Sequence, residues 1–333
     1  MIRIPFSEMK EQLVKVLLNM GFIEERAQLC AKLFAEASLD GVYSHGLNRF
    51  PSFVDCIKKG DINIHAVPEI VQSYGVIERW DGKLGPGNIN AHFCMERAVT
   101  LAKNQGMGCV ALKNTSHWMR GGSYGWQAVE KGCIGICWTN TEPNLPPWGS
   151  AEKKLGNNPI VFAVPREEGH IVLDMAISQY SYGQLNEAKL LGSMLHVEGG
   201  YHLGGELTRD PSTILESGRL LPIGYWKGSG FALLLDLIAM VLSGGNSTYE
   251  IGKLTTEPSI SQVFIAFDVS LFEHSAFVNQ RIHEVIRDLQ GSIPVEEHAS
   301  VRYPGEDTMV RRHENLARGI PVEPAIWQQV LKI

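Results

Sequence analysis

The middle of this 333-residue chain holds short runs of strand length and β-branched content, without the strand-for-helix alternation that a parallel sheet requires. EIVQSY, VIERWD, GCVALKN, GCIGICWTN, PIVFAVP and HIVLDMA lie between residues 69 and 176, with helical patterns over about 88–104 and 124–130 among them. On the N-terminal side, Leu13, Val16, Leu17 and Met20 form one helical stripe, and Ala27, Cys30, Ala31, Phe34 and Ala37 another, with Glu24 and Glu25 in its first turn. A third helix is expected over 44–59, ending at Gly60 and kinked or restarted at Pro51. Helical patterns return over 229–242, 277–289, 307–316 and 325–331, with one strand-like run, QVFIAFDV, among them. The expected fold is therefore α/β of the mixed α+β type. A helical N-terminal domain (1–65) and a mostly helical C-terminal part (221–333) flank a sheet-bearing domain (66–220).

Charge and composition narrow the partners. With 30 Lys and Arg against 36 Asp and Glu, the net charge is −6, and no basic run offers a footprint for nucleic acid. The first 15 residues carry charges at Arg3, Glu8, Lys10, Glu11 and Lys15, unlike a secretory leader. The most apolar run, 231–242, contains Asp236 and is shorter than the roughly 20 residues a bilayer needs. All six cysteines lie between positions 30 and 137 without a C-x-x-C pair, which fits a reducing, cytoplasmic setting.

Two motif matches fail in context. Gly106, Gly108 and Ala111 fit G-x-G-x-x-A, but they follow a helix and open a strand, the reverse of a phosphate-binding turn. Gly121 to Gly125 fit G-x-S-x-G around Ser123; a serine hydrolase would need that serine directly after a strand, and the nearest ends near Lys113. No metal site is expected: H-E-x-x-H is missing, Cys133 and Cys137 share a strand face as packing thiols, and His196 and His202 are isolated.

The constellation that remains is GVYSHGLNRF. On a helix starting at Ser44, His45 and Arg49 share one face, where a guanidinium could bind a carboxylate bidentately and an imidazole could donate a proton nearby. A solvated helix face is the competing reading. NTSHWMR then places His117 and Arg120 in a loop after a strand, beside glycines. Two histidines and two arginines suit a small oxidised carboxylic acid, with the hydride coming from a nicotinamide.

GVYSHGLNRF, NTSHWMRGGSYGWQA, GICWTN, PPWG, the Gly-x-Asn-Pro at 156–159, LDMA, GYWKGSG and RYPGED occur in an order that resembles the type-2 malate/L-lactate dehydrogenase family over essentially the whole chain. HWMRGGSYGW and YWKGSG resemble its branch that reduces a diketo sugar acid. The resemblance implies a homodimer with a mainly antiparallel, seven-stranded cofactor sheet that is not a Rossmann fold, and a small anionic keto sugar acid as substrate. His45 would donate the proton, Arg49 anchor the carboxylate, and His117 hold or polarise the substrate. NAD, as NADH, would be bound by His170, Ile171, Val172, Leu173, Asp174, Met175 and Ala176, by Trp226 and Lys227, and by Gly305, Glu306 and Asp307. Another α-keto or α-imino acid is the alternative substrate. Ile177 and Gly183-Gln184 stand where much of the family has Thr and Gly-Lys, so no general acid is carried over from that Lys.

Overall fold

A computed structural model describes residues 1–254, 259–271, 275–295 and 300–333. Strand β1 (Ile2–Ile4) leads into α1 (Phe6–Asn19), α2 (Glu24–Leu39) and α3 (Phe50–Lys59). The stripe read from sequence is the buried one: Met9, Leu13, Val16 and Leu17 of α1 meet Ala27, Cys30, Ala31 and Phe34 of α2. Phe34 packs edge-on against Phe50, with ring centroids 5.2 Å apart.

Strands β2 (Glu69–Tyr74) and β3 (Ile77–Gly85) form a hairpin; α4 (Gly87–Gln105) then crosses over to β4 (Met107–Thr115). Helix α5 (Gly122–Glu130) precedes β5 (Cys133–Thr139), β6 (Ile160–Val164) and β7 (Ile171–Met175). Helices α6 (Tyr182–Leu190) and α7 (Pro211–Ser217) enclose the two-stranded pair β8 (Gly200–Tyr201) and β9 (Leu207–Thr208). After α8 (Trp226–Ser243) and the short α9 (Thr248–Ile251) comes β10 (Ile260–Asp268), then α10 (Ser275–Gln290), α11 (Glu306–Arg318), β11 (Ile320–Val322) and α12 (Pro324–Lys332).

The main sheet runs β2-β3-β4-β10-β5-β6-β7. Among the described residues only β3 and β4 pair in parallel, with α4 as their crossover; every other neighbouring pair is antiparallel. Strand periodicity sorts the two faces. Val110, Leu112, Phe264 and Ala266 lie under α4 and α5, while Cys109, Ala111 and Val263 face Leu235 and Ala239 of α8 on the other side. Cys133 and Cys137 are both buried beneath α4 and α5, as free thiols.

The helical layer joins the two chain ends. Its core takes in Ile320, Val322, Trp327 and Val330 together with α1 to α3, and β1 pairs with β11 in the register Ile2↔Val322.

One expectation needed correction, and two features went beyond the sequence reading. Residues 44–59 are two 3₁₀ turns, Tyr43–His45 and Leu47–Arg49, followed by α3, not one kinked helix. Gly46 between them has ψ −128°, outside the helical range, and Pro51 belongs in the first turn of α3, where its missing N–H costs nothing. The strand-like run near 262 is the buried centre of the sheet rather than an outlier among helices. Elements between 178 and 218 were not anticipated, although Ser181 and Gln184 form a complete capping box at the start of α6.

Candidate active site

Asp40 closes α2, and the chain turns through Gly41 into the 3₁₀ turn that carries His45. Gly46 lets this turn lie against α2: a Cβ there would overlap Ser38 Oγ, which accepts the Leu47 N–H at 2.8 Å. His45 Nδ1 is 2.9 Å from the hydroxyl of Ser44, leaving Nε2 as the nitrogen that Ser44 does not engage.

His117 is supplied by the loop after β4. Asn114 near the end of β4 (φ 52°) and Met119 in the loop (φ 64°) hold left-handed conformations rare for non-glycine residues, so the exit from the strand and the loop are tightly constrained. The Met119 N–H donates to His117 Nδ1 at 2.9 Å, which puts the proton of the neutral ring on Nε2. Beneath this loop, the first turn of α4 supplies support: Gly87 N–H donates to Ser116 Oγ at 2.8 Å, and Ser116 Oγ donates to Gly85 O at 3.1 Å. Only glycine fits at 87, because a Cβ would overlap the carbonyl oxygens of Ser116 and His117.

The His45 and His117 rings stack with centroids 5.9 Å apart and planes 25° from parallel. Arg49, Ser116, His117, Met119, Phe53 and Asp61 are among the residues lining a cavity of about 50 Å³ on the His117 side of the pair; His45 stands behind His117 and is not part of that lining. That volume accepts a carboxylate-sized group, not a whole sugar acid.

Both imidazoles are held below their ordinary range. For His45 the cause is burial, opposed by the Asp174 carboxylate and reinforced by the Arg49 and Arg120 guanidinium groups. His117 lies well below, through burial first and then the charges of Arg49 and His45.

The segments expected to hold a dinucleotide converge separately. Val172 N–H of β7 donates to Pro304 O at 2.9 Å, so Gly305 (φ 96°), Glu306 and Asp307 begin α11 alongside Ile171 and Leu173. Beyond Met175 and Ala176 the chain runs beside residues 221–223, with Ile223 N–H to Ile177 O at 2.9 Å and Gln179 N–H to Leu221 O at 2.7 Å. This places the start of α8, with Trp226 and Lys227, next to the end of β7.

Some of these side chains are already engaged. His170 Nδ1 accepts the Arg166 N–H at 3.1 Å, and the ring meets Trp126 edge-on at 5.9 Å. Asp307 is ion-paired with Arg302. Asp174 accepts the Gly122 N–H at 2.8 Å and acts electrostatically on His45, which assigns it to the histidine side of the site as much as to the dinucleotide side.

Ser123 lies in the first turn of α5, well past the end of β4, and among the described residues no histidine is hydrogen-bonded to its hydroxyl. The arrangement a serine nucleophile needs is missing there.

Arg166 escaped the sequence reading. Its side chain is 8% exposed, its guanidinium lies 5.4 Å from the Tyr303 ring centroid, and its Nε and Nη1 are buried without a hydrogen-bond partner. Its Nη2 is ion-paired with Glu168 at 3.2 Å, so Nε and Nη1 are the donors left over near the 304–307 turn; with exposed Trp226 and Lys227 at the far end of β7 they fit an anionic ligand bearing aromatic rings.

A model of the family described as malate/L-lactate dehydrogenase matches residues 4–331. The 2,3-diketo-L-gulonate reductases of Citrobacter koseri and Pasteurella multocida are each 42% identical to this chain over 330 residues, covering 99% of both sequences. The crystal structure of malate dehydrogenase from Entamoeba histolytica superposes with a TM-score of 0.94 at 26% identity, covering 99% of this chain and 96% of that one.

Proposed function

Since the chain belongs to the malate/L-lactate dehydrogenase family, and is thus an oxidoreductase of keto and hydroxy acids, we propose that it reduces 2,3-diketo-L-gulonate to 3-dehydro-L-gulonate with NADH. The observation that carries this reading is the stacked His45–His117 pair beside a carboxylate-sized cavity lined by Arg49.

Arg49 binds the substrate carboxylate through two parallel charge-assisted hydrogen bonds, which orients the adjacent ketone toward the histidines. His117 donates its Nε2 proton as a hydrogen bond to the carbonyl oxygen and polarises it without becoming charged. His45, protonated, has Nδ1–H facing Ser44 Oγ and Nε2–H free for the substrate. As the carbonyl π bond breaks, its oxygen takes the Nε2 proton of His45, and the ring is then reprotonated from water. Reduced nicotinamide, when bound, supplies the hydride that forms the new C–H bond at C2.

NADH would lie along Ile171–Ala176, with Gly305–Asp307 and Trp226–Lys227 at its two ends and Arg166 as a cation behind it. No glycine fingerprint or Rossmann fold is needed for this mode of binding. A cofactor domain built on 66–220 and completed by α8 and β10 would then lie beside the helical layer of residues 1–65 and the chain end, in a cytoplasmic homodimer that engages neither membrane nor nucleic acid. The dimer is supported by α8, whose Leu233, Leu234, Leu237, Ile238 and Val241 are at least 40% exposed. That helix, Trp226–Ser243, is long and apolar enough to cross a membrane, yet Asp236 within it accepts hydrogen bonds from Asn140 and Thr248, both at 2.8 Å.

Another α-keto acid is the second reading, favoured by the close superposition on a malate dehydrogenase. NADH oxidation measured side by side with diketogulonate, pyruvate and oxaloacetate tests both. The first reading expects the highest kcat/KM with diketogulonate; a ranking led by oxaloacetate or pyruvate replaces it with the second.

A further inference from the structure

Two side chains that take no part in the mechanism above span the same gap that the two histidines face. Asp40 lies five residues before His45, and Arg120 three residues after His117. Each is 5% exposed, and Arg120 Nη1 is ion-paired with Asp40 Oδ2. Asp40 Oδ1 accepts a second guanidinium, Arg312 of α11, at 2.6 Å, and Arg312 reaches Glu36 at 3.4 Å. The carboxylate is thus clamped between the loop after β4 and the helix that begins at the Gly305 turn.

A buried ion pair is a poor source of stability, because desolvation offsets much of its attraction. What it supplies is geometry: the single Nη1–Oδ2 contact of a rigid, planar guanidinium fixes how closely the two segments approach, whereas two aliphatic side chains could slide. The other polar tie to His45 is weak, since Ser44 is itself exposed.

We propose that Arg120, clamped by Asp40, is a positioning residue for His45: it ties residues 40–45 to the 117–120 loop and so sets the separation of the two imidazole rings. The proposal rests on the functional reading above for its kinetic consequence only. Around His45 the charged and titratable groups are Asp174 from β7, Arg49 from the next turn, His117 from the facing loop, and Arg120 itself.

The test uses the full chain with Arg120→Lys and Arg120→Met. Arg120→Lys keeps the charge but loses the length and planarity of the guanidinium; kcat is expected to fall by about 10-fold or more while KM for the keto acid and NADH affinity, read by nicotinamide fluorescence, stay within about threefold. Arg120→Met also removes the charge, so the titration of the His45 ring, followed by NMR in the ligand-free protein, moves to higher pH, whereas in Arg120→Lys it stays near that of the parent. Should Arg120→Met fail to fold, Arg120→Gln, which also removes the charge but keeps a polar group against Asp40, is judged by the same titration. A kcat for Arg120→Lys within about threefold of the parent, or a His45 titration unmoved in the folded charge-deleted variant, overturns the proposal. If none of the keto acids supports NADH oxidation by the parent, the functional reading fails instead, and the imidazole titration still decides the positioning role.

Discussion

The region around the two histidines and the region proposed to hold the dinucleotide are secured by different kinds of bond. His45 and His117 are fixed through their side-chain atoms: the Ser44 hydroxyl on one ring, the Met119 N–H on the other, and the Arg120–Asp40–Arg312 ion cluster between the segments that carry them. Along β7 the ties run through the backbone, from Val172 to Pro304 and from Ile177 and Gln179 to residues 221–223, while Leu173, Trp226 and Lys227 retain substantial exposure. A site that moves a proton depends on where particular atoms stand, so substitutions there register sharply. A strand that recognises a ligand through its main chain tolerates many side chains.

The largest effect that could break this contrast is at His45. His45→Ala is expected to lower kcat by about 10³-fold with NADH affinity intact; turnover within a few-fold of the parent means that another group gives the proton. Next comes Arg49→Met, expected to lower kcat/KM for the keto acid by roughly 30- to 100-fold, the worth of a charge-assisted pair. A ketone lacking the carboxylate should lose nothing further in that variant, and an equal loss on both would remove Arg49 from the anchoring role.

A third expectation concerns pH. His45 and His117 have folded-state proton affinities below those of the unfolded chain, so the unfolded state binds more protons as pH falls below about 6.5. Their contribution to stability is complete above that value and is lost progressively toward the lowered folded values. Urea midpoints by circular dichroism should therefore decline below about pH 6.5, and His117→Gln should flatten the decline. A slope unchanged in His117→Gln would assign the effect elsewhere.

The smallest effect belongs to β7. Leu173→Ala should alter NADH affinity by no more than about twofold, as befits a half-buried side chain on a strand anchored by its backbone. Val172→Pro, which deletes the N–H donated to Pro304, should weaken it far more. Equal effects from the two would erase the distinction between side-chain and main-chain anchoring.

How much of this was legible in the sequence follows the same division. Short, continuous apolar runs such as GCVALKN announced their strands because both faces of the sheet are covered by helices. His45 and Arg49 were identifiable as a pair, but not the local form that unites them. A single glycine packed against Ser38 replaced an α-helix with two 3₁₀ turns, and nothing in the spacing signals that contact. Asp40 and Arg120 were equally hidden: 80 residues separate them, and pairing across such a distance leaves no periodic trace. The 178–218 region obscured its elements because its strands are two residues long and its helices carry little apolar periodicity.

The position of β10 has a consequence for synthesis. Strands β4 and β5 do not touch; each pairs with β10, which is made more than 120 residues after β5 ends. During elongation the two half-sheets, β2-β3-β4 and β5-β6-β7, present bare hydrogen-bonding edges toward each other until residue 268 has left the ribosome. Such edges invite pairing with other nascent chains, so the interval between the emergence of β5 and of β10 is when this protein is most in need of a chaperone.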